Sequence, residues 1–416
     1  MNRGLVVTAL AALVFALLAL LATTVPWDVL PHSAPRVDLL HDFSAAEVAR
    51  ERAFHRALRP SAYGSLALGL LVAAVLGLTP WGGRIVVAAG RLLGGGWVAQ
   101  VVAGSVALAV VGRLATAALD ARSETVLREY GLSNQSWAAW AADLLKGLGI
   151  TAGVTALVLL AVLGLARWLP QGWWVAAAAV VAGFVVVASF AYPLVVEPVF
   201  NRFRPLPQGQ LRTDLLALAA RDGVHVNDVL VADASRRTAA LNAYVSGFGS
   251  TRRIVVYDTL LATASPQEVE LVVAHELGHA KRNDVLRGTA WGAIGGAAAV
   301  CLLALLLSWP ALLDRAGATG PSDPRVLALL LFLVAAGGLL VQPASSLVSR
   351  RIEARADVHA MELTCDVATF TSSQHRLAVS NLSDLDPSPL VYAVFFTHPT
   401  SPQRIALARE YARLHC

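Results

Sequence analysis

The residues with the most evident chemical potential lie in one stretch, Ala274–Asp284, which reads AHELGHAKRND. His275 and His279 are four apart, so on a helix they share a face and can reach the same metal ion. Glu276 projects beside them, where it can take a proton from a water activated there. Zinc suits this set: imidazole nitrogens are good ligands, and an open coordination position lets water ionise near neutral pH. The competing reading of H-E-x-x-H is a polar helix end with two solvated histidines.

A catalytic zinc needs a third protein ligand. Ser349–Thr364, SRRIEARADVHAMELT, is a second helical pattern in which Glu353 and Asp357 are four apart on one face. Alone they read as a solvated face. Beside a two-histidine site that lacks a carboxylate, Glu353 becomes the expected third ligand. Asp357 then either orients a histidine ligand or serves as a proton donor. Further on, FFTHPTSPQRIALARE (Phe395–Glu410) carries His398 and Arg404. If this segment folds back onto the metal, His398 could stabilise a tetrahedral oxyanion and Arg404 could hold a ligand carboxylate. Turn chemistry is the plainer account of the same His-Pro.

The elements that must position these groups can also be read. Ser265-Pro266-Gln267-Glu268 supplies an N-cap, a proline at the first helical position and a glutamate at the third, a capping box. The helix it announces is expected to run through the histidine pair and directly into the next apolar run. Before it, Asn242–Leu261 reads as two β runs joined by a Gly-Ser turn, hence a hairpin. This hairpin is either a small scaffold sheet or an edge that captures an extended peptide. Gln208–Arg221 reads as a helix with Leu211, Leu215 and Leu218 on its apolar face.

These polar stretches interrupt a chain of 416 residues that is 56% hydrophobic and only 15% charged. Soluble domains carry about 25% charge, so much of this chain belongs in lipid. Seven apolar runs stand out: 4–25, 62–79, 97–119, 148–168, 173–195, 291–309 and 326–341. Most approach the roughly 20 residues that cross a bilayer core. Gln100 and Arg113 interrupt the third, and the last is short unless it continues through Gln342-Pro343. The first is too long for a typical signal-peptide core and is read as a retained span.

Arginine bias sets the orientation. Arg36, Arg50, Arg52, Arg56 and Arg59 follow the first span, Arg122, Arg128 and Lys146 separate the third from the fourth, and Arg350, Arg351 and Arg355 follow the seventh. These loops are expected in the cytoplasm, with the amino terminus outside. The net charge of +5 fits arginines facing anionic lipid. No basic stripe with interleaved aromatics occurs, so nucleic acid is not an expected partner. Cys301, Cys365 and Cys416 form no CxxC pattern, which argues against a disulfide framework and thiolate metal ligation. With nothing after Cys416, no prenylation signal of its own is expected.

The chain resembles the type I CAAX prenyl proteases, integral-membrane zinc metallopeptidases. EPVFNRFRPLPQGQLR (197–212), DASRRTAALNAYVSGFGSTRRIVVYDTLL (233–261), AHELGH, RRIEARAD and THPTSPQRI occur in the family's order. The histidine pair precedes the sixth span and Glu353 follows the seventh. The resemblance implies that His275, His279 and Glu353 bind one zinc and that Glu276 activates the water. It assigns catalytic or supporting roles to Asn242, Asp357, His398 and Arg404, and places the site on a chamber enclosed by the helices. An arginine-heavy, alanine-rich style with two lysines looks bacterial.

The expected fold is mainly α: a polytopic membrane protein of about seven helices with a small α+β metalloprotease part. Residues 1–196 would form a five-span region and 197–287 the part with hairpin and histidine helix. Spans six and seven would occupy 288–348, and 349–416 would carry the third ligand and the His-Pro segment. The expected activity is zinc-dependent endopeptidase, acting on peptide or protein substrates that are lipidated or membrane-associated. HtpX-like quality-control proteases share the metal motif and are the nearer alternative. A transporter, favoured by Arg113 within a span, or a non-catalytic metal-binding scaffold are the rivals from other classes.

Overall fold

The structure is a computed structural model that describes residues 2–29, 37–247 and 249–415; Arg36 and Cys416 lie outside the described residues. Among these, seven helices are long and apolar enough to cross a membrane. Five come first: α1 (Arg3–Thr24), α2 (Ala45–Gly77), α3 (Trp97–Glu129), α4 (Trp137–Trp168) and α5 (Trp173–Ala191). A helix α6 (Gln210–Arg221) and the helix α7 (Pro266–Lys281) follow, before the sixth and seventh spans, α8 (Asp284–Leu306) and α9 (Leu327–Thr364). Helices α10 (Val367–Ser380), α11 (Pro389–Phe395) and α12 (Ser401–His415) finish the chain.

Each apolar run of the sequence overlaps one of the seven spans, and α2, α3, α4, α8 and α9 extend several residues past their runs at one end. Hydropathy marks the part of a helix in lipid, and polar turns beyond it remain helical. α2 begins at a capping box, with Ser44 accepting from the Glu47 amide. It runs polar for several turns before its apolar section. α9 passes through Pro343 without a break. Its polar end, with Glu353 and Asp357, is therefore a rigid continuation of the seventh span. α1 packs against the other spans: Val6 is fully buried, and Arg3 donates from Nη2 to the Ser308 carbonyl at 2.6 Å.

The spans follow one another in a partial ring, α1 on α8, α8 on α5, α5 on α4, α4 on α3, α3 on α2 and α2 on α9. They pack tightly at one end, where Val6, Val101, Leu163, Trp173, Leu307 and Leu327 share a core. A second core, with Leu215, Ile254, Leu271, Leu277, Met361 and Phe370, forms at the opposite end. Between these ends α3 carries Arg113, whose Nη1 reaches Asp120 at 2.9 Å. Ser65 and Thr116 donate to the same carboxylate at 2.6 and 2.9 Å. Charge at mid-span is tolerated where it faces a protein interior or water rather than lipid tails.

The second core is built on a small sheet. Its strands are β1 (Phe203–Pro205), β2 (Asp228–Ala232), β3 (Ala243–Ser246) and β4 (Arg253–Tyr257), in the order β1-β2-β4-β3. β3 and β4 form the expected antiparallel hairpin, and β2 lies parallel to β4. Gly247 has φ +87°, and a Cβ there would lie 2.4 Å from the Thr251 carbonyl oxygen, so the turn requires glycine. β3 is an edge strand. The Tyr257 amide donates to the Asn242 carbonyl at 3.0 Å, which aims the even positions of β3 at β4. By alternation, the backbone groups of Ala243 and Val245 point to the open edge.

Candidate active site

α7 begins as its sequence requires: Ser265 accepts from the Glu268 amide, Glu268 accepts from the Ser265 amide, and Pro266 opens the first turn. Arg376 of α10 then grips the Glu268 carboxylate at 3.0 Å, tying the cap to the carboxy-terminal part. The far end departs from expectation. α7 does not continue directly into the sixth span; it stops at Arg282, and Asn283 turns the chain in the left-handed region at φ 53°. Asparagine tolerates that conformation better than most side chains. α8 starts afresh at Asp284.

α9 lies against α7. A Cβ at Gly278 would come within 2.9 Å of His359 Cδ2, so the glycine of the H-E-L-G-H stretch lets the two helices approach. This contact brings Glu353 to the histidines. His275 Nε2 lies 3.1 Å from Glu353 Oε2, His279 Nε2 3.6 Å from the same oxygen, and the two histidine nitrogens 3.3 Å apart. Among the described residues these three form the group able to hold a metal ion. For ligands about 2.0–2.2 Å from zinc, a tetrahedron has edges of about 3.3–3.6 Å. The donor set and its spacing therefore fit a metal ion of that size.

Each histidine ring is held from behind. His275 Nδ1 lies 2.9 Å from Asp357 Oδ1, and Asp357 is fully buried. Arg404, from α12, grips both Asp357 oxygens, with Nε at 2.8 Å from Oδ2 and Nη2 on Oδ1. The carboxylate that Arg404 holds is thus that of Asp357, not of Glu353. On the other histidine, His279 Nδ1 lies 2.9 Å from Asp284 Oδ2, and Arg355 donates to that oxygen. Neither Asp284 nor Arg355 stands out in the sequence reading. Asp284 closes the AHELGHAKRND stretch and Arg355 lies inside RRIEARAD; an acid five residues past a candidate ligand was the available signal.

The electrostatics favour a cation. Burial opposes protonation of His279, but hydrogen bonds to Asp284 and Glu353 outweigh it and push the pKa up to about 10. Burial likewise opposes protonation of His275, and Asp357 and Glu353 overcome it. A surplus of carboxylate thus surrounds the ring nitrogens, the environment a divalent ion neutralises. Glu276 has its pKa raised, chiefly by burial, toward the range useful for proton transfer.

The carboxy-terminal segment does fold back. His398 Nε2 stands 3.2 Å from Glu353 Oε2, its ring still half exposed. Arg350, one turn before Glu353 on α9, donates to the carbonyls of Tyr392 at 3.0 Å and Phe396 at 2.6 Å, which fixes the loop leading to His398. Asn242, at the start of β3, is exposed beside the same centre. Two cavities meet there, both lined by Asn242, Glu276 and His398. One extends along β3, and the other toward α10 and α11. All eight residues singled out in the sequence are therefore assembled around one point.

Known proteins resemble this chain in sequence and in fold. Residues 205–412 match the family model described as "Peptidase family M48", and residues 58–202 match "CAAX prenyl protease N-terminal, five membrane helices". The chain belongs to peptidase family M48 and is an integral-membrane, multi-pass metallopeptidase. It is 31% identical over 305 residues to "Uncharacterized metalloprotease YhfN" of Bacillus subtilis, covering 73% of this chain and 72% of that one. It is 27% identical over 304 residues to "CAAX prenyl protease 1" of Saccharomyces cerevisiae, covering 68% and 66% of the two chains. The crystal structure of S. mikatae Ste24p superposes with a TM-score of 0.79 over 98% of this chain and 99% of that one, at 22% identity. That likeness shows a shared fold, a membrane chamber capped by a metalloprotease domain.

Proposed function

We propose that this metallopeptidase is a zinc endopeptidase that cleaves peptides at the junction of the two cavities. The observation that carries the reading is the convergence of His275, His279 and Glu353 within tetrahedral spacing, with Glu276 and His398 facing the same point. Zinc bound there would act as a Lewis acid on the scissile carbonyl and lower the pKa of the attacking water. Glu276 accepts the water proton and passes it to the departing amine. His398 stands where it can donate to the carbonyl oxygen as charge develops on it. Asp357 and Asp284 fix the histidine rings. Asp357 has both oxygens taken by Arg404 and His275, which suits orientation rather than proton donation. The open edge of β3 offers the backbone groups of Ala243 and Val245 to an extended peptide, and Asn242 borders its path.

The substrate class is a peptide or protein at the membrane, lipidated or membrane-associated. The chamber, and relatives named as CAAX prenyl proteases, support this. A match along nearly the whole of S. mikatae Ste24p favours this arrangement over an HtpX-like one. The metal site lies at the arginine-bearing ends of the spans: Arg59 of α2 pairs with Asp384, and Arg237 pairs with Asp143 of α4. Arginine bias then supports an active site in the cytoplasm and an amino terminus outside.

The reading is tested with Glu276→Gln. The variant should retain metal at the wild-type level and lose casein cleavage by at least about 100-fold, the lower range for a general base. Undiminished turnover would refute the mechanism. An inactive wild-type protein with full metal content would instead favour a metal-binding scaffold.

A further inference from the structure

The cavity on the α10 side of the metal centre has a volume of about 510 Å³. Glu276 and His398 line it, and its walls mix apolar side chains, Leu271, Phe370 and Leu377 among them, with polar ones such as Asn381 and Asp384. The buried polar groups on these walls include Gln374. Gln374 is 3% exposed and lines the cavity. It shares a face of α10 with Phe370, one turn before, and Leu377, one turn after. Its Oε1 makes no hydrogen bond among the described residues.

A buried amide oxygen without a partner is costly, so one that persists calls for a reason. Asn381, on the same wall, shows the ordinary outcome. Its Nδ2 donates to the Leu241 carbonyl at 3.2 Å, and its Oδ1 accepts from the Leu241 amide at 2.8 Å, which braces the chain entering β3. Gln374 braces nothing through its oxygen. It lines the same cavity as Glu276, a space large enough for a side chain. The peptide backbone is accounted for elsewhere, on the open edge of β3 along the other cavity.

We propose that Gln374 is a specificity-determining residue: its amide accepts a hydrogen bond from an N–H or O–H at the tip of a substrate side chain that enters this cavity. The favoured residue next to the scissile bond is one with an apolar body and a donor at its end, such as tyrosine, tryptophan or threonine. A site with a buried group to satisfy discriminates against the analogue that lacks the donor, because the group is then left unpaired. For one neutral hydrogen bond the preference is about tenfold.

This inference rests on the peptidase reading above, and its test separates the two. Short fluorescein-labelled casein peptides are made in pairs, Tyr against Phe and Thr against Val, at each position near the scissile bond. Binding is measured by anisotropy on Glu276→Gln full-length protein, and cleavage on wild type. At one position the donor-bearing member should be favoured about tenfold. Adding Gln374→Met, of similar volume, should bring that ratio near one while metal content stays unchanged; Gln374→Asn, which withdraws the amide by one methylene, should do the same if the methionine variant does not fold. No donor preference at any position, or a preference that survives both substitutions, overturns the inference. Peptides that bind with the donor preference yet are not cleaved would refute the peptidase reading alone.

Discussion

His275 and His279 sit one turn apart on α7, and each has its second ring nitrogen on a carboxylate that an arginine grips in turn. The two supports reach the helix by different routes. Asp284 is five residues beyond His279, delivered by the left-handed turn at Asn283, and Arg355 is the only distant member of that set. Asp357 comes from α9 and Arg404 from α12, so His275 is held by parts of the chain on the far side of two membrane spans. Burial follows the same division: the Asp357 side chain is 0% exposed and that of Asp284 10%. One histidine is supported locally, and the other by the tertiary closure of the whole site.

That asymmetry can be broken from either side. Asp357→Leu should be the most damaging change, because it strands the Arg404 guanidinium; breaking a buried pair in this way costs about 3–5 kcal/mol. Thermal denaturation in detergent should show the loss, along with loss of bound metal. Asp284→Asn should leave the fold intact and weaken metal binding by about 10–100-fold, the usual effect of losing a carboxylate behind a histidine ligand. Competition against a chelator would measure it. If Asp284→Asn proved as destabilising as Asp357→Leu, the distinction between local and tertiary support would fail. Arg355→Met should be the mildest, about three- to tenfold in metal affinity, since Asp284 keeps its charge and loses one hydrogen bond.

The same division governs how much could be read beforehand. The histidine pair, its capping box and the hairpin are encoded within short windows, and the structure forms them where the residues say. Seven spans were legible because lipid demands long apolar runs. Glu353 and Asp357 were legible as a helical pair, although only the approach of α9 to α7 at Gly278 places them on the histidines. Asp284 and Arg355 were in view but without a role, because the break at Asn283 leaves no mark in hydrophobic periodicity. The sequence left open whether the seventh run continues through Pro343; proline usually ends a helix, and tertiary packing overrides that tendency in α9. Gln374 was invisible, since a single glutamine in an amphipathic helix reads as surface until its burial is known.

The central claim is that two histidines and a glutamate, separated in the chain by two membrane spans, hold one metal ion. Its most direct test is elemental analysis of the purified full-length protein beside Glu353→Ala. Wild type should carry one zinc per chain, and the variant should lose most of it while keeping its helical circular dichroism. Full zinc occupancy in Glu353→Ala, or no zinc in wild type, would contradict the three-residue site.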